Sequence, residues 1–397
     1  MRITVVGGGI VGLATAYRIQ DRFPGVSVTV LEKESAPGRH QSSHNSGVLH
    51  CGLYYKPGSK RAQLARRGIT QMVEFCQTHQ IPHDVCGKVV VATAPDEVPR
   101  LESLFERGQQ NGLRGLRLLT PEQLREIEPH AAGLAAIHVP EEGIADYPRV
   151  VEVLAAQIHS RGATLITSAK VTAIRRDSTA WRITHTAGEN LCDWIVTCAG
   201  LHSDRMAALT GKPREARIVP FRGEYFLLRK DRQFLVRNLI YPIPDPNFPF
   251  LGVHFTRMIH GGIEAGPNAV LALSREGYRK SQINLRDTLD ALAFPGLWRF
   301  LQRYPSQTWR ELRRSFSKTL FCESMQRLVP EIRLDDLEPG GSGVRAQALS
   351  PSGSLLDDFH FVESDHAIHV VNAPSPAATA SLAIGEEIAS LIRVNSC

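Results

Sequence analysis

Arg2-Ile-Thr-Val-Val-Gly-Gly-Gly-Ile-Val-Gly-Leu-Ala-Thr-Ala-Tyr-Arg-Ile19 opens the chain, and Val26-Ser-Val-Thr-Val-Leu-Glu-Lys33 follows. The first stretch reads as a strand over residues 2–6, a glycine turn, and a helix whose first turn holds Ile10 and Val11. The second reads as another strand, ending at Glu32 and Lys33. Strand, glycine turn, helix, strand and acid together form the dinucleotide-binding pattern in its required context. Gly7 permits the tight turn, Gly9 lets the backbone approach a pyrophosphate, and Gly12 lets the helix pack closely on the strand. The helix N-terminus then offers free N–H groups and a positive dipole end to the phosphates. Glu32 can accept hydrogen bonds from adenosine ribose hydroxyls and repels a 2′-phosphate, which argues against NADP.

Composition sets wide bounds around this motif. A chain of 397 residues suits two domains, and 43% hydrophobic with 22% charged residues is the make-up of an ordinary globular protein. No apolar run approaches the length needed to span a bilayer. Entry into a core strand at the N-terminus gives the expectation that no signal or transit peptide is present. Cys51, Cys76, Cys86, Cys192, Cys198, Cys322 and Cys397 are odd in number, scattered, and form no C-x-x-C pair. Neither a zinc site nor a disulfide framework is expected, no metal is assigned, and a reducing cytoplasm is the simplest home. The net charge of +6 is mild, and no nucleic-acid-binding motif accompanies it. That balance suits an anionic substrate, an anionic cofactor or an anionic membrane surface.

The order of elements predicts an α/β protein with an interleaved architecture. A Rossmann-like dinucleotide-binding domain is expected from residues 1–85, 145–215 and 330–397. A mixed or antiparallel sheet, α+β in character, is expected from 86–144 and 216–329 as the substrate domain. Helices are read over 58–80, 95–111, 149–161 and much of 282–328. Thr120-Pro-Glu-Gln123 carries a capping box that starts another. The strand ending at Ala199-Gly200, with a helix beginning near Ser203-Asp204, forms a second backbone approach to a ligand, and Asp204 is counted with it. The strand that opens at Val171 is counted among the cofactor contacts as well. At the C-terminus, a strand ending at Asn372 feeds Ala-Pro374-Ser375-Pro376-Ala377. Ser375 is expected as N-cap and Pro376 as first helical residue of a helix running to about residue 393, its positive end facing the sheet edge.

Three features favour FAD over a nicotinamide. Only one glycine pattern is present. Gly38-Arg39-His-Gln-Ser42-Ser43-His44-Asn45-Ser46-Gly47 suits a loop wrapped around a ribityl chain and pyrophosphate. A late strand-helix turn closes a cofactor domain that the first residues open.

These pieces support a family. The chain resembles the FAD-dependent D-amino-acid oxidase superfamily, and most closely its L-2-hydroxyglutarate dehydrogenase/oxidase branch. The likeness runs end to end, through Val5–Leu13, Leu31–Glu34, His40–His50, Gly52–Tyr55, Pro220–Tyr225, Leu251–Thr256, Gly343–Gln347 and Asn372–Thr379. The first piece is generic to flavoproteins; His-Asn-Ser-Gly, Arg-Gly-Glu-Tyr and Gly-Val-His-Phe are far more specific. Ser43 departs from the pattern, where Thr or Gly is common. The resemblance implies non-covalent FAD and oxidation of L-2-hydroxyglutarate to 2-oxoglutarate; composition and spacing do not reach that substrate on their own.

Oxidising a 2-hydroxy acid needs a hydride acceptor and a base, and histidine suits the base near neutral pH. His254 is the first candidate, on a strand whose alternation puts it on one face with Thr256. His44 is the second, in the loop expected near the flavin ring. A small dicarboxylate needs two cationic anchors, and arginine binds carboxylates bidentately. Arg222, Arg257 and Arg345 are the candidates, with Tyr55 and Tyr241 as phenolic donors. Further on, Trp309, Leu312, Phe316 and Leu320 recur at helical spacing beside Arg310, Arg313, Arg314 and Lys318. Such a basic amphipathic helix suits the surface of an anionic membrane, at the inner face of the cell membrane and near a quinone pool; a helix laid over the substrate-domain sheet is the more ordinary reading of the same pattern. Quinone and oxygen both stand open as electron acceptors. An amine or amino-acid oxidase of the same fold and a non-catalytic flavin-binding subunit are the competing readings.

Overall fold

The computed structural model describes residues 1–177, 179–246 and 248–393, so Cys397 lies outside the described residues. Arg2–Val6 lies at the heart of a six-stranded sheet. In order across that sheet run His360–Ser364, Ala367–Asn372, Trp194–Thr197, Arg2–Val6, Ser27–Leu31 and Thr164–Ile166. All neighbours are parallel except the His360–Ser364/Ala367–Asn372 hairpin. A parallel sheet needs cover on its faces. The Ile10–Arg22 helix supplies it, packed between Tyr147–Ser160 and the C-terminal Ser381–Leu391. Gly12 is where the first helix meets its strand: a Cβ there would stand 1.9 Å from the Gly7 carbonyl oxygen. Gly385 plays the same part between helices, since its Cβ would stand 2.6 Å from the Ala14 carbonyl oxygen.

The second unit is a nine-stranded mixed sheet. Arg217–Leu228, Leu239–Pro242, His254–Arg257 and Ile263–Gly266 belong to it, joined by Lys88–Ala92 and Ala135–Val139 from earlier in the chain. Leu337–Leu349 also belongs here, paired antiparallel along most of Arg217–Leu228. The sequence reading placed 330–397 wholly with the cofactor unit. This strand instead carries Val344, Ala348 and Leu349 into the large sheet's interior, whose partners lie more than a hundred residues earlier.

Two helical expectations change. Residues 374–380 form consecutive turns (Ala377 N–H to Pro374 O, 3.0 Å; Ala380 N–H to Pro376 O, 2.9 Å), and the last helix starts at Ser381. Ser375 therefore caps nothing; its carbonyl accepts from Arg61 Nε at 2.7 Å. Thr379 ties the turn down by bonding the Tyr147 hydroxyl (2.7 Å) and the Val48 carbonyl (3.2 Å). The basic amphipathic run breaks at Ser317, whose hydroxyl caps Lys318–Gln326 by accepting from Leu320 N–H. Pro305–Phe316 thus ends before Leu320, and its apolar face does not cover the sheet. Trp309 is 62% and Phe316 77% exposed.

Candidate active site

A cavity of about 1250 Å³ runs along the carboxyl edge of the parallel sheet and out between the two sheets. One end is built from the opening motif. Gly9 precedes the first helix in extended conformation, and no side chain caps that helix. Ile10 N–H goes to Ser42, so the N–H groups that follow it in the first turn and the dipole end remain for an anion. A Cβ on Gly9 would meet only the Ser42 hydroxyl, at 3.3 Å, while one on Gly7, whose φ is +111°, would strike the Cys198 carbonyl at 2.3 Å. Ser42 accepts from Ile10 N–H at 2.9 Å and so folds the glycine-bounded loop onto the helix terminus. Glu32 is buried at the tip of its strand, accepting from Gly8 N–H (2.7 Å) and Glu34 N–H (2.9 Å). Beside it Lys33 pairs with Glu276 at 2.7 Å. Burial alone would raise the Glu276 carboxyl, but His202 and Lys33 outweigh it and bring it to about 2. Glu34, His40 and Glu276 gather ligand-type atoms close together, yet the Lys33 ammonium pairs with both acids there. A glycine cradle, an uncapped helix and a buried acid along one elongated cavity fit a dinucleotide.

Most of the cofactor residues expected from sequence converge on this cavity. Gly7, Gly9, Ile10, Val11, Glu32, Lys33, Arg39, Ser42, His44, Asn45 and Ser46 line it, as do Val171, Ala199 and Gly200, and Pro374 through Ala377. Gly12, Ser43, Gly47 and Asp204 do not line it. Gly12 sits behind the turn, and Ser43 bonds the Gly38 carbonyl at 2.7 Å. Gly47 supplies a left-handed turn (φ +71°) at the loop's end. Asp204 is held by Arg275 and Arg214 in a buried ion-pair network that also engages Asp290, and burial is overcome by those guanidinium groups, which keep its carboxyl below the ordinary range.

Beyond the cofactor end, His254, Tyr241, Tyr55 and Arg345 line the same cavity. The Tyr241 ring stacks on His254 with centroids 3.9 Å apart. His254 Nδ1 lies 2.9 Å from the Gly252 carbonyl. A carbonyl can only accept, so Nδ1 carries the hydrogen and Nε2 keeps its lone pair. Burial, reinforced by the charges of Arg345, His50 and Lys88, pushes the His254 imidazole down to about 3. His44 also faces the cavity, its ring stacked on Tyr278 at 4.0 Å, and burial lowers its pKa as well. Arg345 also lines the cavity, with Nη1 donating to the Asn268 carbonyl at 3.2 Å; two residues earlier Gly343 packs on the His44 carbonyl, where a Cβ would stand only 2.6 Å away. Arg222 and Arg257 do not reach it. Arg222 is held by Glu224 (3.0 Å) and Arg257 by Asp84, so each positive charge is already paired away from the cavity.

Sequence reasoning missed several lining groups. Tyr225 and Gln347 come from neighbouring strands, and the Tyr54 hydroxyl is buried with no hydrogen-bond partner among the described residues. His50 also faces the cavity, above a buried Lys88–Glu142 pair at 2.5 Å. Each lay in a stretch that carries the family resemblance: His50 in His40–His50, Tyr54 in Gly52–Tyr55, Tyr225 in Pro220–Tyr225 and Gln347 in Gly343–Gln347.

A parallel dinucleotide sheet and a large substrate sheet enclosing one cavity define a flavin-dinucleotide oxidoreductase. The FAD dependent oxidoreductase family model matches residues 2–391, and the chain belongs to that family. It is 50% identical, over 97% of its length and 96% of the relative's, to the L-2-hydroxyglutarate dehydrogenase of Indibacter alkaliphilus. To the L-2-hydroxyglutarate dehydrogenase of Escherichia coli K12 it is 44% identical, over 98% of this chain and 92% of that one. To the mitochondrial protein of that name from Homo sapiens it is 42% identical, over 98% and 88%. Among solved structures, L-alpha-glycerophosphate oxidase from Mycoplasma pneumoniae with FAD bound has a TM-score of 0.78 at 20% identity, covering 97% of this chain and 93% of that one. Glycine oxidase from Geobacillus kaustophilus has a TM-score of 0.75 at 19% identity, covering 98% and 94%. These structural likenesses bear on the fold.

Proposed function

We propose that this protein oxidises L-2-hydroxyglutarate to 2-oxoglutarate and passes the electrons to a quinone, with oxygen as the alternative acceptor. The observation that carries the substrate is the end-to-end identity, 42–50%, with bacterial and animal proteins named for that reaction. The cavity chemistry agrees with it. Bound FAD supplies the acceptor for the C2 hydride, which leaves carbon with its electron pair. His254 Nε2 takes the hydroxyl proton as the C2–O double bond forms. Its low pKa keeps it free of a proton until substrate arrives; the substrate's negative charge then favours the imidazolium. Arg345 binds the carboxylate next to C2, and Tyr241 holds the His254 ring flat against its own.

The quinone reading rests on the exposed face of Pro305–Phe316. Trp309, Leu312 and Phe316 stand in solvent beside Arg313 and Lys318, and Leu285 and Leu289 stand exposed on the Leu285–Leu292 helix. No helix among the described residues is long and apolar enough to cross a membrane. An apolar ridge flanked by cations suits a protein lying on an anionic bilayer from the cytoplasmic side. The test has two arms. Under anaerobic conditions, L-2-hydroxyglutarate should bleach the flavin while the D-enantiomer and L-glutamate do not; bleaching by L-glutamate would turn the assignment to an amino-acid oxidase, and bleaching by none of the three would sink the substrate reading. Phosphatidylglycerol vesicles should sediment the protein, and W309E/F316E should abolish this. Failure to sediment would leave oxygen as the acceptor.

A further inference from the structure

A five-carbon diacid brings two carboxylates, and the structure leaves one arginine of the expected three, Arg345, to meet them. The second cation must come from elsewhere on the cavity wall. His50 is positioned for it. Its Nδ1 lies 3.4 Å from Glu142 Oε2, and its ring meets Tyr241 edge-on with centroids 6.4 Å apart. Tyr241 thus touches both His50 and His254, and all three line the cavity.

What stands behind His50 fixes how its ring is presented. Glu142 is wholly buried, and an isolated carboxyl there would be neutral. Lys88, equally buried, lies 2.5 Å from it, and its ammonium sits over the Tyr54 and Tyr241 rings at 4.6 and 4.8 Å. Cys51 adds its backbone N–H and its thiol to Glu142 Oε1, both at 3.2 Å. Burial is outweighed by Lys88 and then His50, so Glu142 is held as a carboxylate well below its ordinary range. Lys88 and Glu142 cancel, while Glu142 Oε2 still faces His50. A carboxylate fixed beside one ring nitrogen orients the imidazole, and a second carboxylate at the opposite nitrogen would be met by an N–H donor on each side of the ring. No hydrogen bond engages Nε2, across the ring, among the described residues.

We propose that His50, backed by the buried Glu142–Lys88 pair, is the anchor for the substrate carboxylate remote from C2, and so selects a dicarboxylate over a monocarboxylate. This rests on the substrate class proposed above. The division of labour follows the reading above, in which Arg345 takes the carboxylate next to C2 and leaves the remote one to His50. The ligand recognised is a carboxylate on an extended chain, held by a charge-assisted N–H···O bond.

The test compares L-2-hydroxyglutarate with L-2-hydroxybutyrate, which lacks the second carboxylate, on FAD-loaded wild-type protein and H50Q. The glutamine keeps the size and a donor but removes the charge. We expect KM for the diacid to rise about tenfold to a hundredfold in H50Q, with kcat nearly unchanged, as for one lost charged hydrogen bond. The monoacid's kcat/KM should not change. H50K, which restores a cation, should recover part of the preference. Equal losses on both acids, or none on either, would overturn the assignment. Should H50Q bind no FAD, H50N answers the same question by the same ratio. Wild-type flavin that L-2-hydroxyglutarate fails to reduce is a different result: it overturns the substrate reading, and the anchor with it.

Discussion

Removing the Lys88 ammonium should cost this protein more stability than most single changes. In K88M the side chain keeps its length and apolar contacts, but Glu142 loses the partner 2.5 Å away and stays without access to water. Breaking a buried ion pair from one side costs about 3–5 kcal/mol, because a charge is left uncompensated. Glu142 keeps the Cys51 N–H and His50 at 3.2 and 3.4 Å, which sets the expected loss at the lower end, about 3 kcal/mol. E142Q should cost about the same, since Lys88 then relies on two aromatic faces worth about 1–2 kcal/mol between them. K88M/E142L removes both charges, so its loss should fall at least about 2 kcal/mol short of the sum of the singles. The assay is urea unfolding at fixed excess FAD, followed by tryptophan and flavin fluorescence. The pH dependence has a definite sign. In the wild type the Glu142 pKa is depressed, so its contribution is present above the ordinary carboxyl range and is lost only as pH falls through the depressed folded value. In K88M burial dominates and raises the same pKa, so the penalty is full at pH 7 and is relieved on acidification. The gap between the two proteins should therefore narrow from pH 7 to pH 5. A K88M loss under about 1 kcal/mol at pH 7, or a gap that widens in acid, would refute the reasoning.

Two other changes test the rest of the site. H254Q should keep bound FAD and lower kcat by about a hundredfold to ten-thousandfold, and stopped-flow flavin reduction measures it; because burial holds His254 near 3, the wild-type kcat/KM profile should lack an acid limb at the ordinary imidazole pKa, and a limb near 6.5 that H254Q abolishes would count against that state. G12A should fail to retain FAD on gel filtration, since its Cβ would stand 1.9 Å from the Gly7 carbonyl; retention with unchanged affinity would show that the turn can shift.

The dinucleotide end was legible because it is local. Arg2 to Lys33 holds strand, turn, helix and acid within one supersecondary unit, and each glycine's role follows from atoms a few residues away. The capping box at Thr120 is equally local, and the structure carries it: Thr120 N–H donates to Gln123 Oε1 at 3.0 Å. The substrate end was not legible in the same way. Whether an arginine offers its charge to a ligand depends on which acid reaches it first, and Asp84 reaches Arg257 across 173 residues. Helical periodicity likewise put Trp309 to Leu320 on one stripe without showing that Ser317 would end the helix and leave the stripe in solvent.

The sequence by itself determined the cofactor class, the parallel sheet that carries it and a short set of histidines and arginines. It did so because strand-turn-helix geometry is encoded in contiguous residues. Only the tertiary structure decided which of those side chains share a cavity. It paired Arg222 and Arg257 away and left Arg345 on the cavity wall. It also put His50 before a buried Glu142 that stands 92 residues along the chain. Burial and charge pairing are properties of neighbours in space, and a linear pattern does not contain them.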